Sequence, residues 1–362
     1  MRKVMILGAG RIGRLMACLL KGTNAYDVIL VDSNADHLEP GLFGSLNKLI
    51  ERDVCDVTDH SALRNRLKHH QVNAVISCLP YFCNPQVAEL ARELGITYFD
   101  LTEDVQVTKK VFELAESSEQ PFAPQCGLAP GFVSIAANAL MQDFDSLDAA
   151  FLRVGALPVY PNNLLKYSLS WSTDGLINEY GNTCFGIFQG KAVELQPLEG
   201  LETLQIDGLL YEAFNTSGGL GTLGQTYFGK INTMNYKSLR YPGHCESMRF
   251  LMNDLKLNED RATLKRILEN AIPSTQDDVV VIYIAVRGYQ QKRLTEKTYV
   301  KKIYPKVIAG LPWTAIQVTT ASSACAVIDE VLTNIGKYRG FVKQEAFSLK
   351  NFLGNRFGNI FA

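Results

Sequence analysis

Gly8, Gly10 and Gly13 stand directly after the apolar run Val4-Met5-Ile6-Leu7 and directly before Arg14-Leu15-Met16-Ala17-Cys18-Leu19-Leu20. A short buried strand, a glycine turn and an apolar helix start, in that order, suit the pyrophosphate of a dinucleotide. Gly8 permits the tight turn, Gly10 lets the backbone approach the phosphates, and Gly13 lets helix and strand pack closely. The free N–H groups and positive dipole of the helix N-terminus complete the anion site. The next apolar run, Val28-Ile29-Leu30-Val31, ends in Asp32. An acid about twenty residues past the glycines hydrogen-bonds a ribose 2′-hydroxyl and repels a 2′-phosphate. Arg11 argues the other way, because a cation in the turn attracts a 2′-phosphate. Ser33-Asn34 follow Asp32, however, with no arginine beside it. NAD is therefore the expected cofactor and NADP the less favoured one. Contacts to it are expected from Gly8, Gly10, Arg11, Ile12, Gly13, Asp32, Ser33, Asp53, Cys78, Leu79 and Pro80. Asp53 and Asp56 follow a third strand, where an acid either lies under an adenine ring or is a surface turn residue.

Three further segments mix glycines with polar groups, as loops lining a polar ligand do. They are Cys126-Gly127-Leu128-Ala129-Pro130-Gly131, Asn215 to Leu223, and Leu239-Arg240-Tyr241-Pro242-Gly243-His244-Cys245-Glu246. His244 titrates near neutral pH; it is either a general base or a hydrogen bond tying the Pro242-Gly243 turn. Arg240 either holds a carboxylate bidentately or makes a salt bridge at an interface. Tyr81 donates to substrate, relays a proton or caps a helix. Glu103 and Asp104 either meet a substrate ammonium or favour the next helix N-terminus, and the helix explanation is preferred for Asp104. Gly131, Ser217 and Gly218 are expected against the substrate, with Trp171 as a packing wall.

These residues need elements to hold them. Strands are predicted at Val4–Leu7, Val28–Val31, near Asp53, at Ala74–Ser77, at Tyr98–Leu101 and between Pro121 and Cys126. Helical segments alternate with them, at Ser61–His69, Pro85–Leu94 and Asp104–Glu119. The stretch from Asp32 to Asn47 reads as a loop. Alternation of this kind implies an α/β fold with a doubly wound parallel sheet. It puts the glycine turn, Cys78–Tyr81, Asp100–Glu103 and Cys126–Gly131 on one rim, at the carboxyl ends of the strands. After about Asp143 the pattern becomes mixed. Strands are predicted at Leu147–Val154, Tyr167–Ser172, Val279–Arg287 and Thr298–Val307, and a helix start at Gly175–Tyr180. Helical spacing returns over Thr320–Ile335. The expected domains are residues 1–126, 127–319 and 320–362, the last packing back on the first.

The 362 residues are 47% hydrophobic and 20% charged, typical of a globular soluble chain. A net charge of -1 gives no electrostatic case for nucleic acid or an anionic membrane. Only a few apolar residues separate Lys3 from the glycine turn, too few for a signal peptide's apolar region. The strongly apolar stretch Val279–Val286 has strand length and cannot cross a bilayer. A cytoplasmic location is expected. The 8 cysteines contain no Cys-x-x-Cys pair and the 5 histidines no His-x-x-His set, so a metal site is not expected and the thiols are expected reduced.

The glycine turn, Cys126–Gly131, Ser217-Gly218-Gly219, Arg240–His244, Val154-Gly155-Ala156-Leu157-Pro158 and Leu169-Ser170-Trp171-Ser172 together resemble the saccharopine dehydrogenase family, over residues 3 to 335. The resemblance implies a Rossmann-type domain completed by C-terminal helices, with an inserted α/β domain for substrate binding and dimerisation. It implies a homodimer and hydride transfer at an amine-bearing carbon with NAD or NADP. Ala129 stands where the saccharopine reductases usually carry an acid, and Val154 where they tend to carry cysteine. The segments are more similar to lysine 6-dehydrogenase, which implies oxidation of the L-lysine ε-carbon to 2-aminoadipate semialdehyde. A saccharopine or carboxynorspermidine-type dehydrogenase acting on a secondary amine is the rival within the family. A non-catalytic NAD-binding regulator is the rival outside enzymes.

Overall fold

Val4 to Leu7 are buried at every position of β1 (Arg2–Leu7), as a strand covered by helices on both faces requires. The computed structural model describes all residues from Met1 to Ala362. After the glycine turn come α1 (Arg11–Gly22), β2 (Tyr26–Asp32), β3 (Glu51–Val54), α2 (His60–His70), β4 (Ala74–Ser77), α3 (Asn84–Leu94), β5 (Thr97–Asp100), α4 (Val105–Ala115) and β6 (Pro121–Ala123). The expected loop after Asp32 instead winds into two 3₁₀ segments, Ala35–Leu38 and Pro40–Leu46, which bury Phe43 completely. Helix caps come from local side chains: Asp59 accepts the Ala62 N–H at 2.9 Å and Asp104 the Val107 N–H at 2.8 Å.

The chain then runs through α5 (Phe132–Met141), β7 (Ser146–Pro158), α6 (Thr173–Gly181), β8 (Cys184–Phe188), β9 (Lys191–Leu195), β10 (Glu202–Ile206), β11 (Leu209–Asn215), α7 (Leu223–Tyr227), β12 (Thr233–Arg240), α8 (His244–Arg249), α9 (Arg261–Ala271), β13 (Asp278–Gln290) and β14 (Arg293–Ile303). These strands form one sheet in the order β10-β11-β12-β7-β13-β14, with β8 on β12 and β9 on β8. Only β12 and β7 pair in parallel. The expected strand at Tyr167–Ser172 is irregular. Its apolar residues are buried by a helical cluster instead of a ladder, with Tyr167 fully enclosed beside Leu176, Tyr180 and Met248. The strand expected at Thr298–Val307 starts earlier, at Arg293, and stops at Ile303.

The chain ends with β15 (Lys306–Ile308), β16 (Leu311–Trp313), α10 (Ala315–Thr333), β17 (Gly340–Phe341) and α11 (Leu349–Gly354). The first sheet has the order β17-β6-β5-β4-β1-β2-β3 and is parallel throughout. Its winding reverses at β1, between β2 and β4, where a doubly wound sheet opens its ligand crevice. Tyr26 on β2 donates to the Asp329 carboxylate of α10 at 2.7 Å, and Asn355 donates to the same group at 2.8 Å. These bonds tie the chain's last residues to the first sheet. At 19 residues α10 is long and apolar enough to cross a bilayer, but most of it is buried inside the protein.

Two compact units result: Met1–Phe132 with Lys306–Trp313 and Gln317–Ala362, and Val133–Pro305 with Thr314–Ile316. Both boundaries differ from the sequence expectation. Phe132 belongs to the first unit because its ring stacks on Phe361, centroids 3.9 Å apart. The return comes at Lys306, not residue 320, because the β15–β16 turn seats on Gly44. The Ser45 N–H donates to the Ala309 carbonyl at 3.0 Å, and a Cβ on Gly44 would lie 2.0 Å from that oxygen.

Candidate functional site

In the first unit, β1 ends at Leu7 and Gly8 turns the chain with φ +97°. A Cβ on Gly8 would lie 2.8 Å from the Cys78 carbonyl oxygen, and one on Gly13 would lie 1.9 Å from the Gly8 carbonyl oxygen. No side chain fits at either place. Gly10 is different: it is exposed, and an added Cβ would meet nothing within 4 Å. α1 has no capping side chain at Gly10 and no acid in its first turn. Its first N–H groups and positive dipole end are thus open to an anion.

Asp32 shapes this turn directly. One oxygen accepts the Ala9 N–H at 2.7 Å; the other accepts the Asn34 N–H at 2.9 Å and lies 3.3 Å from His37 Nδ1. A carboxylate offers about four acceptor positions, so capacity for a ribose hydroxyl remains. The open cradle at Gly10, the bare helix end and the acid at the end of β2 fit a dinucleotide. Gly8, Gly10, Ile12, Gly13 and Asp32 would hold it. Arg11 and Ser33 are exposed beside the turn. The Arg14 guanidinium is held below its usual range by burial and by Arg11, and its Nε is buried without a partner. Cys78 backs Gly8 through its carbonyl, with Leu79 half-buried and Pro80 exposed behind it. Asp53 is committed elsewhere. It pairs with Arg66 at 2.5 Å and lies 3.7 Å from His70 Nε2, which fits the surface alternative and not a place under adenine.

The register pairs Leu7 with Ser77 and Ser77 with Asp100, so the loops after β1, β4 and β5 leave the sheet side by side. Asp100 is fully buried and accepts Tyr98 O–H at 2.7 Å and the Thr102 and Gln125 N–H groups at 3.0 Å each. Asp104 caps α4. Glu103 lies between them, partly buried, with no hydrogen bond to another residue. Burial, with Asp104 and Asp100 nearby, pushes its carboxyl up to about 7 against the pull of its own N–H. Tyr81 opens a single 3₁₀ turn, Tyr81–Cys83, with its half-buried ring edge-on to Phe82. Gly131 is buried with φ +137°, and a Cβ there would strike the Gly127 carbonyl at 1.9 Å. It serves the shape of the loop.

The second unit buries a polar cluster around Arg240, the last residue of β12. Arg240 is 3% exposed. Its guanidinium carbon lies 5.1 Å from the Tyr167 ring centre and 5.6 Å from that of Tyr180. Nη1 donates to the Leu239 carbonyl at 2.7 Å, while Nε is buried without a partner. Burial opposes its charge, but Tyr180, Tyr167, Glu179 and Tyr236 outweigh it and hold the guanidinium above its usual range.

His244 is 1% exposed. Nδ1 lies 2.7 Å from the Leu165 carbonyl oxygen and Nε2 3.1 Å from the Tyr180 hydroxyl. Burial and the Arg240 charge push the ring down to about 3, against the Leu165 bond. With Nδ1 held by the Leu165 carbonyl and Nε2 by the Tyr180 hydroxyl, His244 has no free nitrogen for the base role expected of it. Its turn is built by Glu212, which accepts the Gly243 N–H at 2.8 Å and the Cys245 N–H at 2.6 Å. No spacing in the sequence marks Glu212; only the register that pairs it with Arg240 does. Ser217 is buried and donates to the Thr183 carbonyl at 3.0 Å, while its N–H holds the Glu179 carbonyl at 2.9 Å. Gly218 beside it is half-buried. Trp171 donates from Nε1 to the Tyr167 hydroxyl at 3.1 Å, as a wall of the same cluster.

Residues 4–123 match the saccharopine dehydrogenase NADP-binding domain, and residues 127–355 match the saccharopine dehydrogenase C-terminal domain. The fold is similar to apo saccharopine dehydrogenase (L-Glu forming) from Saccharomyces cerevisiae, with a TM-score of 0.79 and 17% identity over 98% of this chain and 97% of that one. The C. glutamicum DAP dehydrogenase matches at a TM-score of 0.49 with 12% identity, over 95% of this chain and 93% of that one. A probable dehydrogenase from Thermotoga maritima matches at 0.48 with 10% identity, over 97% and 94%. Matched along nearly its whole length by both domains, and carrying a dinucleotide cradle in the first of them, the chain belongs to the saccharopine dehydrogenase family of oxidoreductases with an NAD(P)-binding domain.

Proposed function

We propose that this oxidoreductase uses NAD to oxidise an amine-bearing carbon, with the ε-carbon of L-lysine as its leading substrate and 2-aminoadipate semialdehyde as product. The observation that carries the reading is Glu103, a carboxylate without a partner residue on the rim shared with the glycine turn. A lysine ammonium has a pKa near 10.4, so a base must take its proton before the nitrogen lone pair can support a developing imine. Glu103, poised at about 7, suits that task at neutral pH. When bound, the nicotinamide supplies the hydride acceptor. Loss of a hydride from the neutral amine leaves an iminium, and water then releases ammonium and an aldehyde. The Glu103 proton passes to solvent. Arg240 is the buried cation suited to a substrate carboxylate. Asp32 supports NAD over NADP, because its charge repels a 2′-phosphate.

The test is absorbance of reduced nicotinamide when the protein meets NAD or NADP with lysine or saccharopine. Reduction of NAD by lysine with release of ammonia is the expected result. Reduction by saccharopine alone would move the substrate to a secondary amine, and reduction of NADP alone would overturn the cofactor choice. Silence with every amine, with NAD still binding, would point to a non-catalytic NAD-binding protein.

A further inference from the structure

His244 cannot serve two acceptors at once, and this fixes the direction of its hydrogen bond with Tyr180. The Leu165 carbonyl, 2.7 Å from Nδ1, can only accept, so Nδ1 carries the proton. In a neutral imidazole the other nitrogen is then an acceptor. Burial and Arg240 keep the ring neutral. The Tyr180 hydroxyl, 3.1 Å from Nε2, must therefore donate to His244. With its hydrogen committed to Nε2, the Tyr180 oxygen keeps its lone pairs for the Arg240 guanidinium that interacts with it. Had Nε2 carried the proton, Tyr180 would accept there and could turn its own hydrogen toward a cation. The ring sits among Tyr167, Tyr180 and Phe214, at 5.3, 5.8 and 6.2 Å between centroids.

We infer that His244 is a positioning residue: held as the Nδ1–H form by Leu165, it orients the Tyr180 oxygen toward Arg240 and so fixes the guanidinium that receives the substrate's anionic group. The inference rests on the reading of Arg240 as a substrate cation. The unpartnered Nε of Arg240 is the donor that such an anion would satisfy. The arrangement acts on substrate affinity, not on proton transfer.

Two variants separate the possibilities. Asn in H244N reproduces the Nδ1 donor to Leu165 but gives Tyr180 no acceptor. Gln in H244Q places its amide oxygen near the Nε2 position, where Tyr180 can still donate. Calorimetric binding of L-lysine and of saccharopine to the NAD-loaded protein is measured for each, beside turnover, NAD affinity and ring ¹⁵N shifts. Expected results are an amino-acid Kd and KM raised about tenfold or more in H244N, recovery to within about threefold in H244Q, kcat within about threefold, and unchanged NAD affinity. The ¹⁵N shifts should report a protonated Nδ1 and a bare Nε2. A fall in kcat of about a hundredfold in both variants would overturn the proposal in favour of a base. Equal loss of melting temperature with unchanged amino-acid affinity would overturn it in favour of a purely structural role. Failure of the wild-type protein to bind either amino acid would overturn the substrate reading and the proposal together. Binding without turnover would overturn only the proposed oxidation, and the H244N and H244Q affinities would still decide the role of His244.

Discussion

The Asp32 carboxylate reaches from the end of β2 to the glycine turn and accepts the Ala9 N–H at 2.7 Å. The acid that would read the ribose therefore also holds the loop that would cradle the pyrophosphate. Asp32→Ala should weaken NAD binding by about ten- to a hundredfold, since charge-assisted hydrogen bonds are worth about 1.5–3 kcal/mol. The amino-acid KM should move far less. Fluorescence titration with NAD checks the first, and steady-state kinetics the second.

Gly13 and Gly10 should respond in opposite ways to the same methyl group. In Gly13→Ala the Cβ would fall 1.9 Å from the Gly8 carbonyl oxygen, which is backbone and cannot yield as a flexible side chain would. A loss of about 2–3 kcal/mol or more is expected, visible as a lower melting temperature. Gly10→Ala meets open space and should keep its stability while losing NAD affinity. Thermal melts beside NAD titrations distinguish the two.

Glu103 sets a pH dependence whose sign follows from burial. Its folded pKa, about 7, lies above the ordinary carboxyl value near 4.3. The native state therefore holds this proton more tightly than the unfolded chain does. Stability from this group is full below the unfolded value and is lost as pH rises to about 7. Glu103→Gln should match wild type near pH 4 and exceed it at pH 8, by at most about 3 kcal/mol. If Glu103 takes the amine proton, kcat/KM of the wild type should fall below pH 7 and the variant should lose that limb. Melts and rate profiles against pH read both.

Arg153 and Lys237 share the Glu202 carboxylate. Arg153 Nε hydrogen-bonds one oxygen, and Lys237 Nζ lies 2.7 Å from the other. The two cations hold Glu202 below its usual range although burial opposes them. A depressed acid contributes stability above its unfolded pKa and loses it as pH falls through the folded one. Glu202→Gln leaves two largely buried cations without their counter-charge. Because the Glu202 side chain is 38% exposed and screened by solvent, the substitution should cost about 1–2 kcal/mol at pH 7, with the gap to wild type closing in acid. Urea unfolding at pH 7 and pH 3 tests this.

Wherever one local pattern demands one structure, this chain could be read from its residues. Gly8 and Gly13 after four buried apolar positions, with Gly10 between them and Asp32 closing the next strand, define the cradle, because the backbone around Gly8 and Gly13 admits no side chain. The alternation up to Ala123 likewise defines the parallel sheet, since each helix must cover a strand. Long-range packing decided the rest. Tyr167–Ser172 alternates like a strand, yet Tyr167 is drawn into a helical cluster because enclosing one tyrosine there satisfies both its ring and its hydroxyl. By sequence Asp53 could lie under an adenine ring or in a surface turn; only α2, which brings Arg66 and His70 to it, decides for the second. His244 is a pH-sensitive residue type by sequence, but burial beside Arg240 and the Leu165 carbonyl removes its basicity. Charge, solvent and hydrogen-bond direction at such a side chain depend on neighbours up to 79 residues away in the chain, and only the folded structure brings them together.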